Sequence, residues 1–124
     1  MPAHCSASGK VLLAQMSAAQ RQRLLANAPL EKYTAKTLTD LAKLEREIKR
    51  VQADGYAVDD EEFLPGLLCL AVLVPAAGGA PNLSNLCVAV QAPIMRLSAA
   101  KARLLLPALQ RAALALSRID KAAP

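Results

Sequence analysis

The clearest pattern along the chain is a helical stripe. Leu41, Leu44, Ile48 and Val51 recur at offsets of 0, 3, 7 and 10, the repeat of a 3.6-residue helix with one apolar side. Thr39 or Asp40 can cap its start, and Gly55 is its natural stop. On its wet side Glu45 and Lys49 have the i, i+4 spacing of a favourable pair. Two helices are predicted before it. Ser6 to Met16 carries Val11, Leu12 and Met16 on one side, and Ser17 with Gln20 forms an S-x-x-Q capping box. The segment that box opens holds Leu24 and Leu25 and stops before Pro29. A last helix can start at Ser98, with Leu109, Ala112, Ala113 and Leu116 continuing its apolar face. Pro107 interrupts it, so either the helix kinks there or a second one begins with proline at its first position.

Between these helices the period changes. Leu67 to Val74 has the length and β-branched content of a buried strand. Leu86 to Gln91 alternates, with Leu86, Val88 and Val90 on one face and Cys87, Ala89 and Gln91 on the other. The turn-rich Pro75–Pro81 stretch between them predicts two neighbouring antiparallel strands. Tyr33 to Leu38, with Thr34 and Thr37, reads as extended, and Tyr56 to Val58 as a short extended piece. The sum is an α+β (α/β) domain, with helices flanking a small antiparallel sheet.

Composition narrows the partners. The 124 residues suit one domain. The chain is 54% hydrophobic but only 2% aromatic, so its core is built of Leu, Ala and Val. That scarcity argues against stacking platforms for single-stranded nucleic acid. The net charge of +5 comes from scattered residues. Its densest pairs, Arg21/Arg23 and Lys49/Arg50, read as solvated helix faces, and no base-reading helix-turn-helix is evident. Three cysteines in non-motif spacing give neither a zinc site nor a disulfide framework, which suits a reduced, cytoplasmic chain. The first ten residues lack the pattern of a signal peptide. The apolar run from Leu67 ends at Pro75, well short of the roughly 20 residues a membrane span needs.

Several constellations could carry chemistry. Ser8-Gly9-Lys10 lacks the first glycine and the following Ser/Thr of a phosphate loop, and no strand precedes it; Gly9 reads instead as a point of close packing. His4 and Cys5 are neighbours in sequence, whereas a nucleophilic pair needs side chains that converge in space. One histidine and dispersed cysteines provide no metal-ligand spacing, and no cofactor is implied. The run Asp59, Asp60, Glu61 and Glu62 is open to two readings, a solvated acidic turn or the rim of a pocket. In extended backbone Asp59 and Glu61 would point one way and Asp60 and Glu62 the other. A cavity floored by Cys69, Cys87, Ala89 and Gln91, with Asp59 at its edge, would suit a small polar ligand.

Taken in order, these segments resemble one family. His4 to Ala14 (HCSASGKVLLA), Tyr33 to Asp40 (YTAKTLTD), Gly55 to Glu62 (GYAVDDEE), Pro65 to Ala71 (PGLLCLA), Val88 to Pro93 (VAVQAP) and Leu106 to Ser117 (LPALQRAALALS) are similar to the C-terminal effector-binding domain of IclR-type bacterial transcription regulators. The resemblance covers almost the whole chain. It implies a GAF-like sensory fold that binds a small organic acid or aromatic metabolite and joins subunits into dimers or tetramers, without catalysis. It also implies a pocket lined by Ala7, Ser8, Asp59, Cys69, Ala89 and Gln91. Relatives that bind small keto acids often carry hydroxyl residues at the final-strand pair, so Ala89 and Gln91 point to a larger or differently polar ligand. The family's winged helix-turn-helix and the first strands of its sensory domain are not in this sequence. Residues 1–124 therefore read as one partial effector-binding domain that would reach DNA only through a domain outside it. Two other readings remain from the residues: a structural assembly domain with a degenerate pocket, and an enzyme using Cys5 or Cys69.

Overall fold

The structure, a computed structural model, describes residues 2–27, 29–76 and 83–122. Its first helix, α1 (Ala7–Ala14), opens where the Ser6 hydroxyl accepts the Gly9 amide at 3.0 Å. Gly9 lies against the preceding turn, where a Cβ would sit 2.5 Å from the Ala3 Cα and 2.6 Å from its carbonyl oxygen. The close packing expected of this glycine is therefore real. The buried side of α1 is Ala7, Lys10, Val11 and Leu13; Leu12 and Met16, expected on that side, are half-buried.

Helix α2 (Ala18–Ala26) starts with the expected capping box: the Gln20 amide donates to Ser17 Oγ at 3.2 Å, and the Ser17 amide to Gln20 Oε1 at 3.0 Å. Helix α3 (Leu41–Asp54) is capped by Asp40, whose carboxylate accepts the Ala42 amide at 2.7 Å, and is ended by Gly55 at φ +80°. Only glycine adopts that left-handed conformation without cost. Leu44, Ile48 and Val51 are buried as the stripe predicts, whereas Leu41 stays 55% exposed above a shallow groove between α2 and α3.

Two charged residues depart from their expected places. Arg21 is buried rather than solvated. It donates from Nε to both Glu45 oxygens, at 3.1 and 3.0 Å, and from a terminal nitrogen to the Met16 carbonyl. Glu45 thus pairs across to α2. That bidentate bond holds the Glu45 carboxyl below its ordinary value, which the flexible Lys49 on the same helix does not match.

Strands β1 (Ala57–Asp60), β2 (Leu67–Leu73) and β3 (Cys87–Pro93) form an antiparallel sheet in that order. The pairings Asp59 to Cys69 to Gln91 and Ala57 to Ala71 to Ala89 set the register. Odd-numbered residues turn one face toward α1 and α3, where Ala7, Val11 and Val51 meet Ala57, Cys69 and Ala71. Even-numbered residues face helices α4 (Ala99–Arg103) and α5 (Leu106–Ala122), where Leu68, Leu70 and Val72 meet Ala102, Leu109 and Ala113. The chain is a three-layer sandwich with β2 at its centre.

Pro107 falls at the second residue of α5, so the chain starts a new helix there instead of kinking an old one. The α5 face toward the sheet runs through Leu106, Leu109, Ala113 and Ser117. Ala112 and Leu116, expected on it, are exposed because the helical repeat from Ala113 reaches Ser117 first. Tyr33 to Leu38 is not extended. It folds into a turn closed by the Thr37 amide on the Thr34 carbonyl at 3.3 Å, because the threonine hydroxyls bond locally and across to the acidic loop. Most of the Pro75–Pro81 turn lies outside the described residues.

Gly9→Ala is expected to lower the unfolding free energy by about 1–3 kcal/mol, the usual size of an overpacking strain. Urea titration measures it, and an unchanged midpoint would contradict the close approach to Ala3.

Candidate functional site

The sheet face under α1 gathers the expected pocket residues. Asp59, Cys69 and Gln91 form one cross-strand row, and Ala89 stands in the next row with Ala57 and Ala71. Three strands place Asp59 and Gln91 about 10 Å apart. Ala7 and Ser8 are the first two residues of α1, which crosses this face against β2 and β3. The six residues divide into two groups. Ala7, Asp59 and Cys69 are buried, whereas Ser8 is half-buried and Ala89 and Gln91 are exposed along β3.

Asp59 is 3% exposed. Its Oδ1 accepts the Glu62 amide at 2.8 Å, and the Phe63 amide also faces the carboxylate. Burial pushes the Asp59 carboxyl above its ordinary value; those amides and the Lys10 ammonium oppose the rise. Glu62 does not share a direction with Asp60, as extended backbone would require. The strand ends at Asp60 and Glu61 turns at φ +60°, so Glu62 folds back beside Asp59. Its carboxylate accepts the Lys10 ammonium at 2.6 Å and the Asp60 amide at 3.2 Å. Burial raises the Glu62 carboxyl as well, against the pull of Lys10.

A second segment fastens the same loop. Thr37 Oγ1 accepts the Thr34 amide at 2.9 Å and donates to the Glu62 carbonyl at 2.5 Å, while Thr34 Oγ1 donates to the Glu61 carbonyl at 2.6 Å. The Glu61 carboxylate accepts the Gly66 amide at 2.9 Å and the Lys36 ammonium at 3.1 Å. Tyr33 stands between His4 and Phe63, with ring centroids 6.1 and 5.1 Å away. The acidic run is thus neither a free solvated turn nor a line of alternating carboxylates; it is a loop tied on both sides.

The thiols do not form a nucleophilic centre. Burial, with Asp59 nearby, pushes Cys5 and Cys69 each up to about 11, so neither is a thiolate near neutral pH. The His4 ring engages the Glu31 carbonyl through Nε2 at 2.8 Å. Among the described residues no cluster of His, Cys, Asp and Glu is placed to hold a metal, and no helix is long and apolar enough to cross a membrane. A polar cleft of about 170 Å3 lies beside the β1 edge, and both of its arginines are paired within it: Arg50 with Glu47 at 2.5 Å and Arg103 Nε with the Tyr56 hydroxyl at 3.1 Å.

Reading the residues alone missed Lys10, Glu62 and the Thr34/Thr37 turn. Lys10 had a visible signal, since it stands between Ala7 and Val11/Ala14 on the apolar side of α1. The threonines gave none beyond β-branching, which also favours strands.

Comparison with known proteins bears on the family and the fold. The family profile described as bacterial transcriptional regulator IclR C-terminal matches residues 1–118. The chain belongs to this family. It is 39% identical over 100 residues to the probable transcriptional regulator SauR of Cupriavidus necator, covering 79% of this chain and 38% of that protein. To the transcriptional repressor IclR of Escherichia coli it is 39% identical over 74 residues, covering 60% of this chain and 27% of that one. Residues 1–124 thus span well under half the length of these relatives. Among solved structures, the inducer-binding domain of a PobR double mutant from Acinetobacter, in complex with 3-hydroxybenzoic acid, superposes with a TM-score of 0.87 at 25% identity, covering 94% of this chain and 66% of that one. The C-terminal domain of E. coli KdgR gives 0.87 at 28% identity, with 97% and 71% covered. The GAF-like α+β architecture is therefore that of IclR C-terminal domains, and the named relatives are regulators rather than enzymes.

The raised carboxyls set a pH dependence. Folded Asp59 and Glu62 hold protons more tightly than the unfolded chain does. Their stabilising contribution is complete below the ordinary carboxyl values and is lost as pH rises through the raised ones. In urea titrations from about pH 4 to about pH 8, the stability of the natural chain relative to Asp59→Asn is expected to fall as pH rises. A flat or rising difference would contradict a buried, desolvated Asp59.

Proposed function

We propose that this chain is the sensory portion of a cytoplasmic IclR-type regulator. In this reading residues 1–124 form one partial effector-binding domain that takes a small organic or aromatic acid at Ala7, Ser8, Asp59, Cys69, Ala89 and Gln91. The observation that carries the reading is the Asp59–Cys69–Gln91 row beneath the first turn of α1. It combines a hydrogen-bond acceptor, a small apolar floor and an amide side chain on one face, next to the amide-bearing end of a helix that favours an anion. The bound 3-hydroxybenzoic acid of the PobR domain supports an acid as ligand class. Ala89 and Gln91 favour a ligand that extends beyond the keto-acid size.

Such a domain acts by population shift. The effector binds one arrangement of subunits better than another, and a coupling of about 1–3 kcal/mol suffices to change how attached DNA-binding domains engage an operator. Contact with DNA belongs to a winged helix-turn-helix outside residues 1–124, and the subunits assemble as dimers or tetramers.

Calorimetry with a panel of small carboxylic acids, 3-hydroxybenzoate among them, is expected to give saturable binding to the natural chain. Asp59→Ala and Gln91→Ala should weaken it about tenfold or more. Dimers without binding heat from any acid would make the chain an assembly domain instead. Native mass spectrometry of the same protein should show dimers or tetramers, and a strictly monomeric spectrum would overturn that part of the reading.

A further inference from the structure

Lysine is almost never fully buried unless it is paired, yet Lys10 is 0% exposed. Its two bonds explain why. Nζ donates to the Val58 carbonyl at 3.0 Å and to Glu62 Oε1 at 2.6 Å. Both partners belong to the outer side of β1. The Glu61 amide reaches the Leu67 carbonyl, so by alternation Val58 and Asp60 turn their backbone groups away from β2. Lys10 satisfies the outward Val58 carbonyl, and Glu62 Oε2 accepts the outward Asp60 amide at 3.2 Å. The ion pair thus does for β1 what a neighbouring strand would do. In bending back to make it, Glu62 brings its own amide onto Asp59 Oδ1.

We propose that Lys10 is a positioning residue for the effector site: by bridging β1 and the acidic loop it holds the Asp59–Glu62 turn so that the Asp59 carboxylate lies on the sheet face beside Cys69. The proposal rests on the reading of Asp59 as an effector contact, but its geometric part stands without a ligand. The ionisable groups around Asp59 are Lys10 of α1, Cys5 just before that helix, Asp60 and Glu62 of the acidic run and Cys69 of β2. Lys10 is the cation among them. Removing it leaves the largely buried Glu62 carboxylate without its cation and frees the loop at the same time. A plain stability test would confuse these two effects, and a charge-neutral pair of substitutions separates them.

Lys10→Met is expected to be destabilised and to bind none of the acids. Lys10→Met/Glu62→Gln removes both charges, so it should recover most of the lost stability. Its backbone amide at position 62 should nevertheless exchange with solvent about tenfold faster than in the natural chain, the loss expected for hydrogen bonds to charged groups. The Leu70 amide of β2 should keep its protection. Binding of 3-hydroxybenzoate, or of whichever panel acid the natural chain takes, should stay about tenfold weaker despite the recovered stability. Glu62→Gln alone keeps an acceptor for Lys10 or for the Asp60 amide but not for both, so an intermediate exchange rate is expected even if the double variant fails to fold. Natural protection of the amide at position 62 in these variants, or affinity that returns in step with stability, would overturn the positioning role. If the natural chain binds no acid, the effector reading fails, and the exchange measurement still decides whether Lys10 holds the turn.

Discussion

Everything in this domain is built outward from β2. It has a strand on each edge and a helical layer on each face, and its residues from Leu68 to Val72 are buried. A strand covered on both faces must be apolar on both, which is why LLCLAVL reads as a continuous run. Its pairing register then fixes which residues of β1 and β3 share each face. A slip of one residue would move Asp59 and Gln91 into the layer of α4 and α5 and put Val58 and Val90 under α1. The composition of the candidate site is therefore a consequence of sheet register before any ligand is considered.

Because the strand face is fixed in this way, the remaining difficulty is electrostatic. The α1 layer contains Lys10, Asp59 and Glu62, all with little or no access to water. Isolated charges in such a place cost several kcal/mol each. Among the described residues every buried side-chain polar atom has a partner, and in this layer most partners are backbone groups at a strand edge or in a turn. The charges are tolerated because they satisfy main-chain groups that would otherwise be orphaned.

How much of this was legible in the sequence depends on how local the cause was. The stripe of α3, the Ser17 capping box, the Gly55 stop and the alternation of β3 are written in neighbouring residues, and the folded chain repeats them. The family motifs in their order led to the fold and to one sheet face. Arg21 and the Thr34/Thr37 turn were misread, and Lys10 was missed, because partners that fix them are remote in sequence. A lone Arg or Lys on a helix reads as solvated until the opposite segment is in place. The acidic run misled for a related reason: alternation holds only while the backbone stays extended, and Glu61 ends it with a positive φ that nothing before it signals.

The ties around the acidic loop also say something about the order of folding. Lys10 to Glu62 and Thr37 to Glu62 close segments of 52 and 25 residues. Contacts of that span are entropically costly until other structure has drawn their ends together. The β1–β2 pairing, by contrast, needs only the short turn from Glu61 to Gly66. On that ground the carboxylate cluster is expected to close late, and a chain with its sheet in place but α1 undocked would have β strands and helices without the Lys10–Glu62–Asp59 arrangement.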